Sequence, residues 1–157
     1  MSTFIGANLT ETYSEIGSNT PGLGDIYAGD DGKRYRFVLF DNGVGNVAAV
    51  AGNFAYVLAV SGASAGQTTT VTSDLSDSAN VGAGVFMSAP SDGQYCWVQI
   101  AGYATLTTAL TAGADGNALT PVGATDGTLD VSALVTDHIC AIAVDASAKI
   151  VLLTNMG

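Results

Sequence analysis

The chain has 157 residues, a length that suits one domain. Charged residues make up 11% of it, and 14 acidic residues oppose 4 basic ones, for a net charge of −10. This balance disfavours binding to nucleic acid or to an anionic membrane surface, because both repel an acidic chain.

The first 30 residues predict an extended N-terminal arm. Several glycines and Pro21 interrupt this segment, and no helix or strand period survives for more than a few residues. A purely solvated tail would not carry the apolar side chains found here. We therefore expect the arm, residues 1–30, to dock on its own domain or on a neighbour, through Phe4, Ile5, Leu9 and Tyr13.

The sequence carries no sign of a targeting or membrane-spanning segment. Residues 1–6 lack the basic region and the apolar run of a signal peptide. No apolar stretch approaches the ~20 residues of a membrane helix. We expect a soluble protein made in a cytoplasm.

Residues 31–157 predict a single β-rich domain. Short runs of β-branched and aromatic residues alternate with turns rich in Gly and Asp. Leu119 and Leu129 are expected as isolated core anchors, and residues 46–51 fit either a helical turn or a loop. The last two strands should form a closing hairpin, and Gly102 should bend the chain between two others. The predicted strands are 33–40, 54–60, 68–72, 85–88, 94–100, 103–108, 138–144 and 149–153.

About eight short strands with almost no helix define an all-β fold. The pattern fits a small β-barrel or a β-sandwich, jelly-roll-like in type, with the extended N-terminal arm attached. In the first strand, Tyr35 and Phe37 alternate with Arg34 and Arg36. That alternation predicts one polar edge on the strand.

The two cysteines predict buried free thiols. Cys96 and Cys140 both lie in apolar, strand-like runs, where a free cysteine acts as a small hydrophobic residue. A disulfide between them is the alternative. The spacing gives no support to a metal site, because no Cys-x-x-Cys pair occurs.

No constellation for catalysis emerges. His138 is the sole histidine, and no Gly-x-Ser-x-Gly elbow supplies it with a nucleophile, so a structural role is expected. The carboxylate pairs at 30–31 and 74–77 lie in turn sequence, where Asp caps and bends the chain. Residues 115–117 and 126–130 loosely resemble calcium loops without matching the EF-hand spacing, which leaves calcium binding open. We predict no enzyme, no catalytic residue, no cofactor and no metal site.

Trp97 is the single tryptophan and stands beside Tyr95 and Cys96. It is expected either to anchor the core or to act as an interaction residue, since Trp is enriched at the centres of interfaces.

Several segments of the domain resemble the capsid decoration, or cement, proteins of tailed bacteriophages. The resemblance spans residues 30–157 and rests on motifs that describe packing rather than a site. The segments are Gly32-Lys-Arg-Tyr-Arg-Phe-Val38, Val50-Ala-Gly-Asn53, Gly84-Val-Phe86, Gly93-Gln-Tyr-Cys-Trp-Val-Gln-Ile-Ala-Gly102, Ala118-Leu-Thr120, Ile142-Ala-Val144 and Ile150-Val-Leu152.

The resemblance implies a non-enzymatic structural protein on the outer surface of an icosahedral phage capsid. Its partner would be the major capsid protein, and it would act as a homotrimer without nucleic acid, membrane or small-molecule substrate. Its place would be the virion. Deleting residues 1–28 should then abolish capsid binding and leave the domain folded. The alternative is another virion component, such as a head fibre, a tail accessory or a host-receptor-binding knob.

Overall fold

The structure is a computed structural model that describes residues 7–29, 31–59, 68–154 and 156. Its regular elements are ten β-strands and a 3-10 turn at Leu75–Asp77, and the described residues contain no α-helix. The all-β class is thus confirmed. The strands are β1 Ile26–Ala28, β2 Arg34–Phe40, β3 Phe54–Leu58, β4 Thr70–Thr72, β5 Ser78–Phe86, β6 Tyr95–Thr105, β7 Ala118–Thr120, β8 Asp130–Val131, β9 Ala141–Asp145 and β10 Ile150–Leu153.

Five strands close into a small barrel, which we call the ring. The order around it is β2, β4, β3, β5 and β6, and β6 pairs back onto β2 with Phe37 opposite Trp97. The β2–β4 pair is parallel, and the other pairs are antiparallel. Inward-facing side chains fill the ring with a core of Val38, Phe40, Ala49, Ala55, Val71, Ala83, Phe86, Cys96, Val98 and Ile100.

The long strand β6 belongs to two sheets at once. Its first half closes the ring, and residues from Gly102 onward pair with β10, which continues the sheet through β9, β7 and β8. Gly102 has a φ of +91°, so the bend between the halves falls where only glycine is unstrained. Between this second sheet and the ring lies a second core that includes Phe54, Tyr56, Leu119, Leu129 and Val151.

Most of the predicted strands are present, and the exceptions have local causes. The predicted runs 94–100 and 103–108 form one strand, because Gly102 bends β6 without ending it. The strand expected to begin at 85 begins at Ser78, where register shifts against β3 accommodate an irregular stretch. Strands β1, β7 and β8 were missed, since each has only two or three residues. The β9–β10 hairpin is confirmed, and residues 46–51 form loop rather than helix.

The expectation of a polar edge on β2 was wrong. Val38 and Phe40, on the same side of the strand as Arg36, are buried in the ring core, while Phe37 is buried on the opposite side. Both faces of β2 therefore pack, and Arg36 lies on the ring's inner face instead of in free solvent.

The described part of the N-terminal segment lies against the ring. Strand β1 pairs with β2 along three residues, and Tyr13 exchanges two backbone hydrogen bonds with Tyr95, of 2.9 and 2.8 Å. Residues 7–29 therefore contact their own domain. Phe4 and Ile5, which were expected to dock, lie outside the described residues.

Candidate interaction surfaces and the barrel mouth

An aromatic cluster forms where the N-terminal segment crosses the outer face of the ring. Its buried members, Tyr35, Phe37 and Trp97, are covered by half-buried residues that include Leu9, Tyr13, Tyr27 and Tyr95. The Phe37 ring lies 5.3 Å from Trp97 and 5.5 Å from Tyr13, both edge to face, a favourable geometry for aromatic pairs.

Three residues predicted for interaction, Leu9, Tyr13 and Trp97, thus come together within this chain. Trp97 is 2% exposed, so its ring serves as an internal anchor in the isolated chain. Its Nε1–H is buried and has no hydrogen-bond partner among the described residues. A groove of about 650 Å³ runs beside it, between Asn8, Asn19 and Asp25.

A turn between β8 and β9 presents two apolar side chains to solvent. Val135 is fully exposed and Leu134 is 65% exposed. Asp137 holds the turn, because its Oδ2 accepts hydrogen bonds from the N–H groups of Leu134 and Ala133, at 2.8 and 2.9 Å. These two donors lower the pKa of the Asp137 carboxyl. We call this turn, residues 132–137, the apolar tip.

The barrel mouth is a cavity of about 390 Å³ at one end of the ring. Strands β2, β3 and β5 supply most of its wall, and the remaining side chains come from outside the ring. The lining residues are Arg36, Val38, Val57, Leu58, Thr68, Ala79, Val81, Gly82, Ala83, His138 and Met156. The wall is therefore mostly aliphatic, with Arg36 as the one charged residue among those described.

The two nitrogen-bearing side chains of the mouth both present donors. Nε of Arg36 is buried and makes no hydrogen bond within the described chain. Nδ1 of His138 accepts the backbone N–H of Gly82 at 3.2 Å. In the neutral ring the proton then lies on Nε2, and no described residue accepts a hydrogen bond from this second donor.

The groups that could carry chemistry elsewhere are used in packing and turns. Cys96 and Cys140 are buried free thiols, as predicted, and burial raises the pKa of each to about 12, so neither is a thiolate at neutral pH. Asp74 caps the 3-10 turn, and Asp77 accepts the N–H of Val44. Within the described ranges, no three His, Cys, Asp or Glu side chains are grouped as metal ligands would be.

No helix in the described part of the chain has the length and apolar character needed to span a membrane.

Sequence reasoning did not identify the apolar tip or the barrel mouth. The tip had a usable signal, since two adjacent apolar residues stand three and two positions before an Asp that can cap their turn. The mouth had a weaker one. Arg36 lies on the same face of the strand as Val38 and Phe40. Residues 37–40 are all apolar, however, so the sequence does not show which face of the strand points inward.

The chain matches no protein-family model, no curated protein and no solved structure in comparisons of sequence and fold.

Proposed function

We propose that this protein is a non-enzymatic structural component of a tailed-phage virion that decorates the capsid and cements neighbouring major capsid protein subunits. The observation that carries the proposal is the apolar tip. The fully exposed Val135 and the largely exposed Leu134 lie in a turn whose backbone is held by hydrogen bonds from Ala133 and Leu134 to Asp137. Apolar side chains that protrude from a hydrogen-bonded turn suit insertion into an apolar recess of a partner.

The weak charge of the chain supports the same function. With 11% charged residues, little of the surface is protected by charge repulsion or strong hydration. Among the described residues, the ion pair between Lys33 and Asp31, with 3.5 Å from Nζ to Oδ2, is the one salt bridge. Such a surface favours extensive contact with other subunits, and the net charge of −10 keeps the free protein away from the packaged DNA.

The segments that resemble decoration proteins lie in the ring, in the second sheet and in the loop that precedes β3. The Tyr95-Cys-Trp-Val-Gln-Ile100 segment lies in β6, which closes the ring, and the Lys33–Val38 segment contributes to β2, which pairs with β6. Their resemblance therefore concerns the scaffold, while the contacts with capsid subunits would come from residues outside it, such as the tip.

The test is binding of the purified protein to undecorated capsids of the phage that encodes it. Replacing both Leu134 and Val135 by Ser should abolish co-sedimentation with capsids and leave the circular dichroism and melting temperature unchanged. The matched control is Val44→Ser, since Val44 is another largely exposed valine, at 90%, and lies in a different loop. Equal capsid binding by both variants would refute the tip as the contact, and no binding by the wild type would refute the function.

The homotrimer implied by the resemblance is tested separately, by the molar mass from light scattering. A mass three times that of one chain supports the trimer; a monomer contradicts it. Deletion of residues 1–28, the earlier expectation for separating binding from folding, is a poor test. It would remove β1 and uncover Phe37 and Trp97.

A further inference from the structure

The barrel mouth combines an apolar wall with unpaired donors, a combination that the packing of the ring does not explain. Its volume of about 390 Å³ lies within the range of about 300–1,000 Å³ that is usual for small-molecule sites, and barrel mouths are common places for them. The described wall holds no Asp or Glu. Although the chain has 14 acidic residues, the one charged group in the described lining of the mouth is thus the Arg36 guanidinium.

Arg36 is the group that most needs a partner. It is half-buried, its Nε is shielded from solvent, and no described residue accepts a hydrogen bond from it. A shielded charged donor without an acceptor is costly, so the site gains free energy when an anion binds there. A carboxylate suits a guanidinium especially well, because its two oxygens match the guanidinium fork.

His138 adds to the same preference. Since the Gly82 N–H occupies Nδ1, the neutral imidazole offers only its Nε2–H toward a ligand. The mouth therefore presents two donors from side chains that both line the cavity. The hydroxyl of Thr68 can add a third polar contact.

The aliphatic wall determines what must be attached to the carboxylate. Val38, Val57, Leu58, Val81 and Met156 offer no hydrogen-bonding groups. A peptide would bring a backbone N–H and C=O at every residue, and most of these would be buried without partners. A saturated acyl chain brings none, so it is the better match for this wall.

We propose that the barrel mouth is a binding site for a medium-chain carboxylate of the fatty-acid type, with its head group on Arg36 and His138 and its acyl chain along the aliphatic wall. This site is independent of the capsid-binding function, because neither Leu134 nor Val135 lines it.

The first experiment is calorimetric titration of the full chain with octanoate and with 1-octanol. Both have the same apolar chain, and only octanoate carries the charge. Octanoate should bind at least tenfold more tightly than 1-octanol, because only its carboxylate can form a charge-assisted hydrogen bond with Arg36. Equal affinity, or no octanoate binding at millimolar concentration, would overturn the proposal.

A chain-length series sharpens the assignment of the wall. From butanoate to octanoate, each added methylene should tighten binding about fourfold, as burial of one CH₂ group predicts. The gain should stop when the cavity is full. An affinity that does not change with chain length would show that the acyl chain stays in solvent, and would overturn the proposal.

Arg36→Gln should weaken octanoate binding roughly tenfold to a hundredfold and leave 1-octanol binding unchanged. The matched control is Arg34→Gln, because Arg34 lies two residues away on the same strand and does not line the mouth. Equal losses in both variants would contradict the assignment of Arg36. The comparison of octanoate with octanol on the wild type stands even if Arg36→Gln fails to fold.

A peptide acid is the competing occupant. A pentapeptide that ends in Val-Leu with a free carboxylate, compared with its C-terminal amide, tests for it. Tighter binding by the peptide acid than by octanoate would replace a fatty acid with a protein C-terminus as the ligand, and would overturn the proposal as stated.

Discussion

The second core and the aromatic cluster are both apolar, but they are held in different ways. The second core is enclosed between the ring and the second sheet, and its large residues Phe54, Leu119 and Leu129 have no exposed surface. The aromatic cluster is covered by half-buried side chains and by β1, a strand of three residues. One is therefore an interior, and the other is a covered surface.

Buried hydrogen bonds strengthen this contrast. The Tyr56 hydroxyl donates to the carbonyl of Thr128 at 2.5 Å and accepts the Thr128 N–H at 3.0 Å, which ties β3 to a loop of the C-terminal half. The aromatic cluster holds Trp97 with a buried Nε1–H that no described residue accepts. Apolar contact alone therefore does not set local stability. We expect the N-terminal cover, residues 7–29 over the aromatic cluster, to open without global unfolding, because fewer buried contacts hold it.

The largest expected effect comes from the second core. Phe54→Ala should lower the free energy of unfolding by about 3–5 kcal/mol, because it leaves a cavity in a fully enclosed site. Urea denaturation followed by circular dichroism measures this value. Leu9→Ala, in the cover of the aromatic cluster, is the comparison, and it should cost about 1 kcal/mol or less. Similar losses in the two variants would remove the distinction between the regions.

Tyr56→Phe is expected to come next, at about 1–3 kcal/mol, because both backbone groups of Thr128 lose their partner in a dry site. Burial also raises the pKa of the Tyr56 hydroxyl, so it remains a donor across the accessible pH range. Tyr103→Phe is the control, since that side chain is 58% exposed and should change the denaturation midpoint little. If Tyr56→Phe leaves the free energy of unfolding unchanged, a water molecule replaces the hydroxyl as the partner of Thr128.

A smaller, pH-dependent effect is expected at Asp74, which fastens the loop at Gly45 to the 3-10 turn. Hydrogen bonds from the Ser76 hydroxyl, and then from backbone N–H groups, lower the pKa of this buried carboxyl below its usual 3.8. Its stabilisation is therefore complete above that value and is lost as the pH falls through the lowered pKa.

Asp74→Asn should cost about 1–2 kcal/mol at pH 7, and the difference from the wild type should shrink with acidification below pH ~4. Chemical denaturation at several pH values measures both quantities. Asp31→Asn is the control, because Asp31 is exposed and forms a surface ion pair with Lys33. A difference that does not change with pH would show that the charge of Asp74 is unimportant.

The smallest effect on global stability is expected from Tyr13→Ala, which weakens the cover but not the interior. Hydrogen exchange should accelerate over residues 7–29 and stay slow in β6 and β10. Trp97 is the sole tryptophan and packs on Phe37, whose ring Tyr13 also contacts, so its emission should shift to longer wavelength when the cover loosens. Tyr103→Ala should leave the emission unchanged. Faster exchange throughout the chain would contradict an independent cover.

The sequence was sufficient for the fold class and for most strands, because alternation and turn residues act locally. The strand at 94–100 was predicted, and Gly102 was expected to bend the chain after it. Strand partners were beyond reach: nothing local in β2 shows that it closes a ring with β6. For the same reason Arg36 was predicted to form part of a polar edge, although the ring places it at the cavity.

The prediction of site residues also succeeded where the signal was local and failed where it depended on the assembled fold. Leu9, Tyr13 and Trp97 were selected as apolar residues with a role in contact, and they do meet in one cluster. Whether they also meet another subunit depends on surfaces that no residue pattern defines. The apolar tip became visible only when exposure was known, since Leu134 and Val135 look like core residues in the sequence.

The closing role of β6 also has a consequence for the order of events during synthesis. The ring cannot close until the chain has extended to Ala101, the last β6 residue that pairs with β2, so β2, β3, β4 and β5 emerge from the ribosome before their last partner exists. Pairing between such distant segments makes folding slow relative to folds dominated by local contacts. A nascent chain arrested before Tyr95 should therefore remain protease-sensitive, and protection of the ring strands should appear once β6 is available through Ala101.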